Sequence, residues 1–366
     1  MHKFPYKWTL KDARFTKDKG KVFSCFACGG GSTMGYKLAG FDVIGCNEID
    51  PRMNKVYVAN HHPKHNYLMD IRDMVKLAKS HELPEELYQL DILDGSPPCS
   101  SFSMAGNRES DWGKKKKFRE GQAEQVLDTL FFDFIALAKM LQPKIVIAEN
   151  VKGLLVSEAF SYVKRIYAEF NNAGYEVIHC LVNGSEMGVP QKRERCFFLA
   201  VRKDLMQYIP RLQTLFEEIP FIDLTFNEEP IPFRECYVPG VDDRPASKGK
   251  MLEYWGKRQP TDESFCDTIK REFGVEKCFT NKYLKLDQVC NTLTSNSDVL
   301  YLYDEYRKPN KSEVCSISSF PQDYNFLNEL YYYICGMSVP PVMMAQIASR
   351  VYDQWLKSII TNLTNK

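Results

Sequence analysis

The chain has 366 residues, of which 44% are hydrophobic and 26% charged, enough for one large domain and a smaller one, each with its own core. A net charge of +1 excludes a global attraction to nucleic acid, so any such contact must come from a local positive field. No run of about 18 apolar residues occurs and residues 1–20 are polar and charged, which argues against membrane insertion and secretion and predicts a cytoplasmic address.

In chain order, the runs Val22–Ala27, Phe41–Asn47, Leu90–Leu93, Lys144–Ala148, Glu176–Val182 and Cys196–Val201 predict strands. Between them, Thr33–Leu38, Gln125–Leu141 and Ser157–Asn171 carry helical apolar spacing. This alternation predicts a doubly wound α/β sheet. From 203 to 311 the pattern changes: eight of the 19 prolines fall there, with many aromatics and no long periodic helix, which predicts a separate loop-rich domain. Glu313–Tyr324 and the helical Val342–Ile359 return to the first pattern, so the domains are predicted as 1–202 with 312–366, and 203–311. Twelve cysteines at irregular spacing suit a reducing compartment better than a disulfide framework.

Four sheet-edge segments carry the chemistry. Phe26-Ala27-Cys28-Gly29-Gly30-Gly31 joins the first strand to a helix, and the second strand closes on Asn47-Glu48-Ile49-Asp50. Glycines let the backbone approach a ligand at the helix N-terminus, and an acid at the next strand end can accept ribose hydroxyls, so this unit is expected to hold a nucleoside cofactor. The dinucleotide spacing is broken at Met34, which disfavours NAD. Asp94-Gly95-Ser96-Pro97-Pro98-Cys99 follows a strand, and two prolines fix the backbone so that Cys99 lies at the sheet edge. Residues 100–122, with Lys114–Lys117 and Arg119, suit a lid that touches phosphates. Glu149-Asn150-Val151 ends another strand, and Gln191-Lys192-Arg193-Glu194-Arg195 precedes the last one. Cys25-x-x-Cys28 also spells a metal or redox pair, but no second pair exists, and no metal is expected.

In order, these segments resemble the DNA cytosine-5 methyltransferase family over nearly the whole chain. The resemblance implies a Rossmann-like methyltransferase sheet with a smaller target recognition domain at 203–311. It implies S-adenosylmethionine bound by Phe26, Gly29, Gly30, Gly31, Glu48, Ile49, Asp70, Ile71, Pro98, Ser338 and Val339. It implies Cys99 as nucleophile, Glu149 as the cytosine-binding acid, and Arg193 with Arg195 as the paired arginines. Phe320-Pro321 resembles the motif supporting the small domain, and Gly336–Pro340 the C-terminal motif. Three places depart from the family pattern: Cys28 stands for glycine, Met337 for asparagine, and the segment before Glu313 lacks Arg-x-Leu-Thr. The implied reaction is methylation of carbon 5 of a flipped-out cytosine in duplex DNA by a monomer, with a companion restriction endonuclease as a further expectation. Candidate DNA contacts in the small domain are Arg234, Arg244, Lys248, Lys250, Arg258, Lys270 and Arg271. Two other readings stand beside it. A tRNA cytosine-5 methyltransferase is suggested by Cys278-Phe279-Thr280, and a catalytically silent DNA-binding homologue would tend to lose the nucleophile or the acid, both present here.

Overall fold

The computed structural model describes residues 2–98, 129–156, 160–215, 218–244, 246, 248–276, 281–296 and 299–365. By the density of internal contacts it divides into two compact units. One comprises Met1–Ala13, Gly184–Arg193 and Phe226–Met343, the other Arg14–Asn183, Glu194–Thr225 and Met344–Lys366. The borders of these units fall at 225/226 and 343/344, beside the expected domain limits of 202/203 and 311/312, and two short earlier segments belong to the unit that holds most of 203–311.

The second unit is built on a seven-stranded sheet. Its strands are β1 (Lys21–Cys25), β2 (Asp42–Glu48), β3 (His65–Leu68), β4 (Ile92–Gly95), β5 (Ile145–Val151), β6 (Tyr175–Asn183) and β8 (Glu194–Arg202), in the order β3-β2-β1-β4-β5-β8-β6; the two-residue β7 (Gln191–Lys192) lies outside it. The first five strands are parallel, and β8 runs antiparallel to both β5 and β6. Central strands such as Ile92–Gly95 are buried along their length, as expected where helices cover both faces of a sheet. The chain leaves β1 toward β2 on one side and returns to β4 on the other, so the topological switch point lies between β1 and β4. Helices α1 (Gly31–Ala39), α2 (Pro51–His61), α3 (Ile71–Lys79), α4 (Leu130–Leu141) and α5 (Phe160–Asn172) connect the strands. Phe23, Leu93, Phe131, Phe134, Val146 and Phe198 are among the residues of its main core.

All six predicted strands and the three early helices form within the described residues, with described borders moved by a few residues; the expected starts at Gln125 and Ser157 lie outside the described residues. The sequence reading omitted β3, α2 and α3. Within the first unit, the short helices α6 (Lys250–Gly256) and α7 (Phe265–Phe273) pack near an aromatic core in which Phe265 stacks on Tyr283 at 4.6 Å. Helix α8 (Lys311–Ile317) opens with a reciprocal cap between Asn310 and Glu313. Buried Arg307 donates to Glu313 at 2.7 and 2.8 Å, so the departing segment Arg307–Asn310 supplies both a cation and a cap to this helix. Helices α9 (Tyr331–Met337) and α10 (Pro341–Val351) follow, and the chain continues through a π-helical turn, Tyr352–Leu356, into α11 (Lys357–Thr364).

Nine of the described cysteines are free and Cys266 is disulfide-bonded. Cys25 and Cys28 are both free. Among the described residues, no helix is long and apolar enough to cross a membrane, and no cluster of three or more His, Cys, Asp or Glu could hold a metal.

A candidate active site at the carboxyl edge of the sheet

Beyond β1 the backbone turns sharply, with positive φ at Phe26 (54°), Cys28 (46°) and Gly30 (74°), before α1 begins at Gly31. Glu48 at the tip of β2 fixes this turn. Its Oε2 accepts the Cys28 N–H at 2.7 Å, and its Oε1 accepts those of Ile49 at 2.9 Å and Asp50 at 2.8 Å. The carboxylate is buried, 8% exposed, and burial raises its pKa while the three backbone N–H groups pull it back. Gly29, Gly30 and Gly31 are buried, Phe26 is half-buried against the core, and Ile49 is 37% exposed.

Asp70 caps α3, receiving N–H bonds from Arg72 main chain and guanidinium at 2.9, 3.0 and 2.6 Å, and Ile71 behind it is buried. Burial acts to raise the Asp70 pKa, but the hydrogen bonds and charge of Arg72 outweigh it and hold the carboxyl low. Two carboxylates at neighbouring strand ends, a backbone turned by glycines and an exposed apolar side chain suit a nucleoside with hydroxyls and an amino group.

At the other end of the edge, Asn150 Nδ2 donates to the Pro97 carbonyl at 3.2 Å, so the strand carrying Glu149 is tied to the Pro97-Pro98 segment. Pro98 is half-buried, and Cys99, like the basic segment 100–122, lies outside the described residues. Glu149 is buried and pairs with Arg195 Nε at 2.9 Å. Burial lowers the Arg195 pKa and the Glu149 charge opposes it.

Arg193 belongs to the first unit, is 2% exposed, and donates to the carbonyls of Leu293 (2.7 Å), Gly336 (2.9 Å) and Ser338 (3.0 Å). Ser338 and Val339 are buried in the same unit, and Ser338 Oγ has no hydrogen-bond partner among the described residues. Gly336 admits no side chain: a Cβ there would meet the Thr294 carbonyl oxygen at 2.1 Å.

Sequence reasoning placed Asp94 at the head of the Asp94–Cys99 segment but gave it no role. It is buried at the end of β4, accepts Ser24 Oγ at 2.7 Å and Tyr36 hydroxyl at 3.2 Å, and burial pushes its pKa up to about 7, with Glu149 adding to the rise. Its sequence signal was an acid at the end of an apolar strand, just ahead of Pro97-Pro98. Among the basic residues of the first unit, Arg258 stacks on Trp255 and donates to the Tyr303 carbonyl, Arg271 pairs with Asp262 and Glu272, Lys270 pairs with Glu276, and Arg244 lies 4.0 Å over Tyr332. Among the described residues, no ion pair or ring contact is made by the side chains of Arg234, Lys248 and Lys250. The tripeptide Cys278-Phe279-Thr280 lies outside the described residues.

The family model for C-5 cytosine-specific DNA methylases matches residues 20–353. The type II methyltransferase M.FnuDI of Fusobacterium nucleatum is 38% identical over 185 residues, 50% of this chain and 48% of that protein. The type II methyltransferase M1.HphI of Haemophilus parahaemolyticus is 26% identical over 336 residues, 89% of this chain and 85% of that one. The chain thus spans about half the length of the first relative and most of the second. A crystal structure described as a DNA modification methyltransferase encoded within an E. coli prophage superposes with a TM-score of 0.61 at 20% identity, covering 94% of this chain and 99% of that one, a likeness of fold. With the family pattern running from the glycine turn to α10, the chain belongs to the C-5 cytosine-specific DNA methylase family.

Proposed function

We propose that the chain transfers a methyl group from S-adenosylmethionine to carbon 5 of a flipped-out cytosine in a specific duplex DNA sequence. The observation that carries this reading is the Asn150-to-Pro97 hydrogen bond, which draws together the strand bearing Glu149 and the segment that leads into Cys99. The donor set at Glu48, Asp70 and the glycine turn fits the nucleoside half of S-adenosylmethionine, which when bound supplies an electrophilic methyl group.

The chain's own residues do the rest. The target carbon is unactivated, so the ring must first be made nucleophilic. The thiolate of Cys99 forms a bond to C6, pushing electron density toward C5 and N3. Glu149 faces the N3 edge and stabilises the charge developing there, and Arg195, held at 2.9 Å from Glu149, orients that carboxyl and meets the O2 edge. After methylation the C5 proton passes to a base, the sulfur–C6 bond breaks, and the thiolate and the aromatic ring are restored. Arg193 shapes the Gly336–Ser338 turn instead of touching the base.

Recognition is assigned to the small domain, with Arg234, Lys248 and Lys250 as contacts to phosphate or base edges because their charges are not spent internally. A cytoplasmic monomer acting beside an endonuclease of matching specificity completes the reading.

Duplex DNA with 5-fluorocytosine at the target tests it, because fluorine cannot leave C5 as a cation and the final elimination is blocked. The expected result is a covalent adduct on a peptide containing Cys99, absent in Cys99→Ser, which still binds DNA through phosphate contacts. An adduct on another cysteine, or full methylation by Cys99→Ser, would overturn the mechanism. Labelled transfer to tRNA and not to duplex DNA would overturn the substrate.

A further inference from the structure

The last residue of α2 lies beneath the glycine turn. His61 is buried, and its imidazole fills the space that a side chain at position 30 would need: a Cβ on Gly30 would meet His61 Nε2 at 2.2 Å and Cδ2 at 2.6 Å. Gly30 is thus obliged to be glycine twice, by its φ of 74° and by this ring. The imidazole is itself held from behind. Tyr57, one turn earlier on α2, packs on it with ring centroids 4.6 Å apart, and the Tyr57 hydroxyl meets Thr33 Oγ1 in the first turn of α1 at 2.8 Å. Lys37 Nζ, farther along α1, donates to the His61 carbonyl at 3.3 Å.

These contacts join α2, the glycine turn and the start of α1 into one block, with Glu48 bracing the opposite side of the same turn through the Cys28 N–H. We infer that His61 is a positioning residue for the cofactor turn, setting the height of Gly29 and Gly30 without touching the cofactor. Burial, with the charges of Lys37 and His62, drives the His61 pKa well down, against a smaller opposite effect of the Gly29 backbone, so the prop is a neutral ring. A neutral ring leaves the N-terminus of α1 free to attract the polar groups of a ligand, where an imidazolium directly below would compete with the Lys37 charge and unseat the turn.

The inference rests on S-adenosylmethionine binding at this turn. Calorimetric titration of S-adenosylmethionine into wild type, His61→Ala and His61→Gln, alongside steady-state kinetics, tests it. Removing the ring should raise the cofactor Kd and KM about tenfold or more, while kcat at saturating cofactor and DNA affinity change less than about twofold. The planar amide of His61→Gln should recover most of the loss. Equal cofactor affinity in His61→Ala, or a parallel fall in kcat and DNA binding, would overturn the inference and leave the proposed function standing. If wild type itself binds no S-adenosylmethionine, both fall. Should His61→Ala not fold, the imidazole proton resonances of wild type give the answer: they should move on cofactor addition, and signals that stay in place would overturn the assignment.

Discussion

Glu48 accepts three backbone N–H groups with two oxygens, so its carboxylate is a structural clamp on the turn before it is a ligand contact. Deleting it should weaken S-adenosylmethionine binding by about 1–3 kcal/mol, the usual loss when a buried polar partner is removed. Calorimetry that found equal affinity for Glu48→Ala would refute its role. Asp94 makes the opposite kind of statement. With a folded pKa of about 7 against an ordinary 3.8, its contribution to stability is fully present below about pH 4 and is lost as the pH rises through 7. The loss is about 4 kcal/mol at most. Asp94→Asn should therefore flatten the decline in the denaturation midpoint between pH 5 and pH 8, and an unchanged slope would exclude Asp94 as its source. Glu48 and Glu149 were legible in the sequence as acids at the ends of predicted strands, whereas Asp70, with neither β3 nor α3 read from the sequence, came only from the family resemblance. Arg193 was not separable from Arg195. Two residues apart on one strand they would share a face, but β8 begins at Glu194, so Arg193 precedes the strand and turns to other partners.

Among the elements, most of those with apolar rhythm were found, and α3 is an exception. Helix α2 carries a clear start signal, Asp50 before Pro51, and its buried Met53, Val56 and Tyr57 form a short apolar face that was not read. Strand β3 is four residues long at the sheet edge and alternates half-buried with exposed positions. Ile71, Met74 and Ala78 of α3 do lie at helical spacing, a signal that was present and passed over. The contact between α9 and the Thr294 backbone was illegible for a different reason, since nothing in a glycine's neighbours names the chain that will approach it. Gly336→Ala should push a methyl group into the Thr294 carbonyl and lower stability by about 1–3 kcal/mol or more. Thermal unfolding within a degree of wild type would mean that the backbone there yields.

For the molecule as a whole, composition signalled a change of character near residue 203, but contacts put the border near 225. Residues 221, 223 and 225 lie within the sheet-bearing unit, where Trp355 donates to the Phe221 carbonyl at 2.7 Å, Gln354 to that of Asp223 at 2.9 Å and Arg350 to that of Thr225 at 2.6 Å. A loop-rich composition reports the absence of periodicity, not membership of a core. Exchanging 226–311 for the segment of a relative should therefore change the methylated sequence and keep a stable enzyme, whereas an exchange from 203 should lower the unfolding temperature. Mapping of methylated sites decides the first part, since an active hybrid that still modifies the original sequence would move recognition elsewhere.

The chain passes from one unit to the other at five points, and the earliest segment finds its partners near the end. Trp8 donates to the Ser319 carbonyl, the Trp8 carbonyl accepts from the Gln322 N–H, and the N–H groups of Leu10 and Lys11 both meet the Asp323 carboxylate. At ordinary rates of synthesis these opening residues wait roughly 15 to 60 seconds for their partners to leave the ribosome. The parallel strands β1 to β5 can pair long before that, since all lie within the first 151 residues. Birth order and assembly order are thus reversed for Trp8, Leu10 and Lys11, which lack these partners until residues 319–323 leave the ribosome.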